Sequence, residues 1–297
     1  MLETLDLILQ LFPRSFFGAL VVGAVSPLLG VFFILRRMVF LGIAVPQFAA
    51  AGIALGFLVM HQWNCTLAPY LGGEVDVEGS FCYHLFFATL FTFLSLLVLV
   101  WLGRRGSGSP EGRIAGGYVV AAAATILFLS ESSLGTSHVD VLLKGDVIVI
   151  SEVGLTAILG FFGLALLVLL LLRRDFLLVA YDRELAVSQG KRVVAWDISL
   201  YLLVGSAISV GVLTVGPLVV FGLMVLPPLA ARLIAFNMVS FYAFSSLLGV
   251  FTSFLGFILA LELDWPLGPT AVVTAFLLLF LVWLGRRGVA FLGVARE

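Results

Sequence analysis

The chain has 297 residues, a formal net charge of −1, 62% hydrophobic residues and 11% charged ones. A water-soluble domain carries about a quarter charged residues, so this composition excludes an ordinary soluble fold, and the near-zero net charge gives no support to a nucleic-acid partner. Crossing a bilayer core of about 30 Å takes about 20 apolar helical residues. Several runs reach that length, whereas a transmembrane barrel would need alternating polar positions that are missing here. The expected fold class is an all-α polytopic membrane protein forming one domain over 1–297. Its start, MLETLDLILQ, is acidic where a cleavable signal would be basic, so it reads as no signal peptide.

In chain order the apolar segments are 15–35, 39–60, 84–103, 114–130, 147–172, 196–213, 217–234, 238–261 and 268–285. They predict eight to nine transmembrane helices. Lysine and arginine favour cytoplasmic loops. With the amino terminus outside and the carboxyl terminus in the cytoplasm, only Arg14 and Lys144 of the 16 basic residues fall outside, leaving 14 inside. The predicted location is a cell (inner or plasma) membrane.

The segment 61–83 becomes the main outer loop. It holds Cys65 and Cys82, which an oxidising compartment would allow to pair, alongside the alternative of two free thiols. His61 and His84 flank it, with Glu74, Asp76 and Glu78 between, and read as a solvated polar cap or a weak cation site.

Between Asp197 and Arg232 lie 34 residues without a charge. That is too long for one crossing and slightly short for two with a turn. The expectation is two short helices meeting near Gly216-Pro217, with Pro227-Pro228 bending the second. Broken helices of this kind often line a cavity, which makes Gly216 and Pro217 candidate path residues; a plain kinked hairpin is the alternative.

No GxxxxGK[ST] loop, HExxH or metal-spaced Cys cluster occurs, and no spacing suggests a nucleophilic triad. Catalysis within the chain is not expected, and neither is a bound cofactor. A transporter, a channel or a membrane scaffold is left. The apolar cores carry almost no charge, and Glu152 and Asp197 read as solvated or capping residues near span ends, so an ion-driven carrier is poorly supported.

The stretch YDRELAVSQGKRVVAWD (181–197) is a charged island inside the cytoplasmic segment 173–195. Asp182 and Glu184 suit a helix amino end, and Gly190 with Lys191 and Arg192 suits its stop. A helix this short needs a surface to lie on. It reads either as a lever docked on a partner or as an incidental turn.

The spacing of Asp182, Glu184, Ala186, Gly190, Val193 and Asp197 resembles the coupling-helix region of the ABC-3 family, the membrane permeases of zinc, manganese and iron ABC importers. PLLGVFFILRRM (27–38), GTSHVDVLLKGDVIVIS (135–151) and VGPLVVFGLMVLPPLAARLI (215–234) resemble further family motifs in the same order. The resemblance implies a type II importer-like permease without ATPase activity of its own. It implies a second copy of the chain, two ATP-binding cassette subunits that bind ATP on the cytoplasmic side, and an extracytoplasmic solute-binding protein, all in membrane lipid. A divalent metal would be the cargo. Asp182, Glu184, Ala186, Gly190 and Val193 would couple to the ATPase, while His138 and Asp146 would stand near the outer gate, with His138 a candidate metal ligand.

One departure is specific. The family's second span typically reads GDALSHAVLPGIALG, with an Asp and a His four residues apart on one helical face, a pair suited to zinc or manganese. Here it reads GIAVPQFAAAGIALG (42–56), which puts Ile43 and Gln47 at those positions. Three readings are open: a metal permease with a weakened path site, a permease for a chelated-metal or non-metal cargo, or a paralogue that has lost transport. From another class, a channel or secondary carrier would need no ATPase.

Overall fold

The structure, a computed structural model of the chain, describes residues 8, 10–66, 81–104, 109–131 and 150–294. Within a bilayer every backbone amide and carbonyl must find its partner inside the protein, which favours helices for runs this apolar. The described elements are α1 (Pro13–Leu35), α2 (Val39–Thr66), α3 (Phe81–Arg104), α4 (Pro110–Ser130), α5 (Glu152–Tyr181), α6 (Arg183–Ser188), α7 (Val193–Val215), α8 (Pro217–Ile234), α9 (Met238–Glu262) and α10 (Leu267–Val294). Nine of these, all except α6, are long and apolar enough to span a membrane.

Helix α1 packs on α5, α8 and α9, and α8 continues onto α9 and α10. On the other side α2 packs on α3 and α4, and α7 joins the two groups through α2, α3 and α5. Phe32, Phe33, Phe162, Leu29, Leu200 and Ile208 fill the shared core. Most of α1, α2, α7 and α8 is buried, whereas α3, α4 and α5 turn most of their surface outward.

Polar residues start several helices. Ser109 accepts a hydrogen bond from the Gly112 amide and Ser151 from the Gly154 amide. Asn237 and Ser240 cap α9 reciprocally. Each satisfies amides that the helix itself leaves unpaired.

Prolines inside spans release the carbonyl four residues earlier. Pro27 releases that of Gly23, and this oxygen lies against α9 at Gly249: a Cβ on Gly249 would stand 2.1 Å from it. A small-residue seam therefore lets α1 and α9 approach where the ladder is broken.

The boundaries differ from the sequence expectations in two places. Helix α5 does not stop at 172. It has 30 residues, about 45 Å at 1.5 Å per residue, and carries Arg173, Arg174 and Asp175 inside the helix. Helix α7 is not short. Its 23 residues span about 34 Å, a full crossing, because the helix runs back through Asp197 to Val193. Helix α8 keeps the expected bounds, Pro217 to Ile234, with Pro227 and Pro228 inside it.

Two outer-side expectations are also corrected. Cys82 is an exposed free thiol, so the bridge to Cys65 is not formed; the Cys65 side chain lies outside the described residues. His84 is not a solvated cap. It is 7% exposed, with its ring 4.2 Å from that of Phe57. Glu74, Asp76 and Glu78 lie outside the described residues.

Candidate coupling face and membrane path

The charged island folds as a capped single helix. The Asp182 carboxylate accepts a hydrogen bond from the Leu185 amide at 2.9 Å and starts α6. At the other end the Gly190 amide donates to the Val187 carbonyl at 2.9 Å and the Lys191 amide to the Ala186 carbonyl at 3.0 Å. This is the double closure of a Schellman motif. It requires a left-handed residue, and Gly190 supplies it with φ +75°.

Six residues cannot hold a helix alone. Ala186 is fully buried and packs with Val179 and Val193, flanked by Leu178 and Trp196. Lys191 Nζ reaches Asp175 Oδ1 at 2.7 Å and stands 5.7 Å from the Trp196 ring, and Trp196 meets Phe176 edge-on at 5.3 Å. The inner face of α6 is thus fastened to α5 and α7. Its outer face presents Glu184, Leu185 and Val187 to solvent, beside an exposed Tyr181.

A second fastening centres on Asp197. One carboxylate oxygen lies 2.8 Å from Arg36 Nη1 and the other accepts from Arg183 Nη2 at 2.9 Å. The side chains of Arg36 and Asp197 are only 9% and 14% exposed, that of Arg183 65%. Asp197 is therefore a mostly covered node joining α1, α6 and α7, not the solvated residue its place near a span end suggested. Glu152, in contrast, is exposed at the first turn of α5 and pairs with Arg14.

Next to α6 lies a concavity of about 690 Å³, lined by Arg37, Tyr181, Arg232, Phe236 and Asn237 among others. Phe236 is 94% exposed at the corner between α8 and α9. Arg37 closes α1 in the left-handed region at φ 57°, a conformation that costs a residue with a Cβ about 1–2 kcal/mol. Ridge and concavity together form one polar, aromatic-studded face at the arginine-rich end of the bundle.

Within the span, Ile43 and Gln47 are the two half-buried positions in an otherwise buried stretch of α2, residues 41–54. They share a helical face. Gln47 Nε2 lies 3.4 Å from Thr125 Oγ1 on α4, and that buried hydroxyl donates to the Ala121 carbonyl at 2.8 Å. Gly216 and Pro217 sit together, buried, at the corner where α7 becomes α8, and Gly216 takes φ +90°. His138 and Asp146 lie outside the described residues. Among the described residues no group of three or more His, Cys, Asp or Glu is placed to hold a metal ion.

The structure unites Asp182, Ala186, Gly190 and Val193 in one docked unit and keeps it apart from Ile43, Gln47, Gly216 and Pro217. Sequence reading missed Arg36, Asp175, Arg183 and Trp196 as side-chain partners in that unit and gave Lys191 only a place at the helix end. For Lys191 and Trp196 the signal was their place inside the charged island; Arg36 and Asp175 carried none.

Similarity to known proteins accords with this architecture. The model of the ABC 3 transport family matches residues 9–286. The manganese import system permease protein ScaB of Streptococcus parasanguinis is 26% identical over 267 residues, 89% of this chain and 88% of that one. The chelated iron transport system membrane protein YfeD of Yersinia pestis is 26% identical over 260 residues, 88% of this chain and 80% of that one. In the solved structure of PsaBC from Streptococcus pneumoniae in complex with Fab, a chain 22% identical superposes with a TM-score of 0.77, covering 95% of both chains. The chain is a multi-pass membrane permease and belongs to the ABC 3 transport family.

Proposed function

We propose that the chain is the permease subunit of an importer for divalent metal ions, driven by separate ATPase subunits that grip α6. The docked α6 carries this reading. Its inner face is tied to α1, α5 and α7 through Ala186, Lys191–Asp175 and Arg183–Asp197–Arg36, and its outer face presents Glu184, Leu185 and Val187. A push on α6 is passed directly to three spans. ATP-driven closure of the motor then tips an equilibrium of a few kcal/mol between outward and inward access.

The same reading puts α6 in the cytoplasm, with the amino terminus outside and the carboxyl terminus inside. Arg36, Arg37, Arg183 and Arg232 line the cavities and ion pairs at the α6 end, in line with the preference of basic residues for the cytoplasm. In the working assembly two permease copies pair over two ATPase subunits, and a soluble binding protein delivers cargo from outside. Metal as cargo is supported by the relatives, named for manganese import and chelated iron transport.

A chelated-metal or non-metal cargo is the second reading. Gln47 is engaged with Thr125, and its neighbour on that face is Ile43, so this pair offers no carboxylate or imidazole to a bare cation. Transport by the assembled permease and ATPase in proteoliposomes, across a panel of free and chelated metals, separates the two. ATP-dependent uptake of a free divalent ion supports the first. Uptake of the chelate alone supports the second, and cargo movement without any ATPase overturns both.

A further inference from the structure

The basic side chains around α6 fall into two groups. Arg36 and Arg183 share the Asp197 carboxylate, and Lys191 has that of Asp175. Arg37 and Arg232 differ. Both are exposed, and both line the concavity of about 690 Å³ beside α6. Among the described residues its wall holds no Asp or Glu, and neither guanidinium has an ion-pair partner. Main-chain bonds fix both rims. The Arg37 amide donates to the Ile34 carbonyl at 3.1 Å and the Met38 amide to the Phe33 carbonyl at 2.9 Å, a closure that ends a helix on a left-handed residue. Glycine usually takes that place, but here it is an arginine at φ 57°. At the corner between α8 and α9 the Ser240 amide donates to Asn237 Oδ1 at 2.7 Å and the Phe236 amide to Ser240 Oγ at 3.1 Å. Phe236, almost fully exposed, is held on that corner. Aromatic and arginine side chains carry much of the energy of protein interfaces, and a rim already ordered loses little freedom on binding.

We infer that this concavity is a second docking point of the ATPase subunit and receives an acidic segment of it. Carboxylates of that segment pair with Arg37 and Arg232, and its apolar flank covers Phe236 and Tyr181. The inference rests on the coupling role of α6. Tyr181 is the last residue of α5, directly before the Asp182 that caps α6, so a subunit gripping α6 also lies over the concavity. Two cations without a counter-charge favour an acidic partner and disfavour a basic one. A free anion such as phosphate would leave Phe236 and Tyr181 uncovered. A motor held at two points cannot swivel about α6, so its closure bears on the corner of α8 and α9 as well as on α5 and α7.

The test measures affinity between the full chain, in nanodiscs of phosphatidylcholine alone, and its separately purified ATP-binding cassette subunit. The zwitterionic membrane removes anionic headgroups as partners of the arginines. Arg37→Glu with Arg232→Glu is expected to weaken binding about tenfold or more, and Phe236→Ala several-fold. The equal charge change Arg286→Glu with Arg287→Glu on α10 leaves affinity unchanged. Wild-type affinity falls between about 0.1 and 1 M salt, where the Debye length shrinks from about 10 to 3 Å, and that of the Arg37–Arg232 double variant falls less. Arg37→Gly separates binding from folding. Glycine suits the left-handed backbone, so the thermal midpoint holds or rises while affinity drops. Full affinity in the Arg37 and Arg232 variants, beside a loss in Leu185→Asp with Val187→Asp on α6, overturns this inference and leaves the coupling reading standing. Full affinity in both sets overturns both.

Discussion

The main-chain oxygen of Met224 on α8 lies so close to Gly30 on α1 that a Cβ added there would stand 1.7 Å from it. Pro228 explains why that oxygen is available, since a proline cannot donate to the carbonyl four residues earlier. The glycine Cα covers the released oxygen with a weak C–H···O contact, as Gly249 does for Gly23 on the neighbouring seam. Gly30→Ala therefore has no backbone-neutral solution. It is expected to force α1 from α8 at a cost of about 1–3 kcal/mol or more. A lowered thermal midpoint of the purified permease checks this, and an unchanged midpoint shows that the two helices separate freely.

The Asp197 node predicts an asymmetry between its carboxylate and its outer arginine, Arg183. Removing the carboxylate leaves Arg36 buried without its counter-charge, so Asp197→Asn is expected to cost about 3–5 kcal/mol. Arg183 is mostly solvated, and Arg183→Gln is expected to cost less than about 1 kcal/mol. A double change to apolar residues, Arg36→Met with Asp197→Leu, restores much of the loss because no lone charge is left behind. Unfolding midpoints of the four proteins decide the matter: equal effects of the two single changes would mean that Asp197 is solvated after all.

These contrasts show what the sequence could and could not reveal. Nine spans were legible because lipid demands apolar runs of about 20 residues, and little else in a chain produces them. The α6 helix was legible because Asp182 and Gly190 are start and stop signals with local causes. Asp197 was misread because a charge near the edge of an apolar run looks like the end of a span. Its partner Arg36 is distant in the chain, and no periodicity links them. The same error ended α5 at 172, just before Arg173, whereas Asp175 pairs with Lys191 and the helix runs on to Tyr181. Ile43 and Gln47 could be placed on one helical face from their spacing, but the hydroxyl of Thr125 that Gln47 meets belongs to another helix and could not be foreseen.

The coupling reading makes Gly190 a mechanical residue. At φ +75° a Cβ costs about 1–2 kcal/mol. Proline fixes φ near −65° and also deletes the amide that donates to Val187. Gly190→Pro is expected to abolish permease-stimulated ATP hydrolysis while α1 to α5 stay folded, and Glu184→Arg is expected to do the same from the exposed face. Stimulated hydrolysis, measured beside the thermal midpoint, separates coupling from collapse. Full stimulation in both variants would mean that α6 is a passive connector.

Leu185 and Val187 are the apolar residues that α6 offers to solvent, at 45% and 60% exposure. Aspartate at both positions removes the apolar contact that a motor subunit needs and spares the buried Ala186 that docks α6. The expected outcome is loss of the motor from the purified assembly on size-exclusion chromatography, with an unchanged permease peak. Co-elution at wild-type stoichiometry would move the docking site elsewhere, with the Phe236 and Tyr181 concavity the next place to look.

The face of α2 gives the last prediction. Ile43→Asp with Gln47→His creates a carboxylate and an imidazole four residues apart, a spacing that brings both to one side of the helix and suits zinc or manganese. Both positions are half-buried, so the new groups keep some room. The Gln47 contact to Thr125 is lost, and at 3.4 Å it is too long to contribute more than about 1 kcal/mol. If this face lines the route of the cargo, the double variant should retain more zinc or manganese than the parent by elemental analysis after gel filtration. The single changes should retain less than the pair, because one ligand does not make a site. No gain in bound metal, with the fold intact, would mean that α2 turns this face to α4 alone and that cargo passes elsewhere.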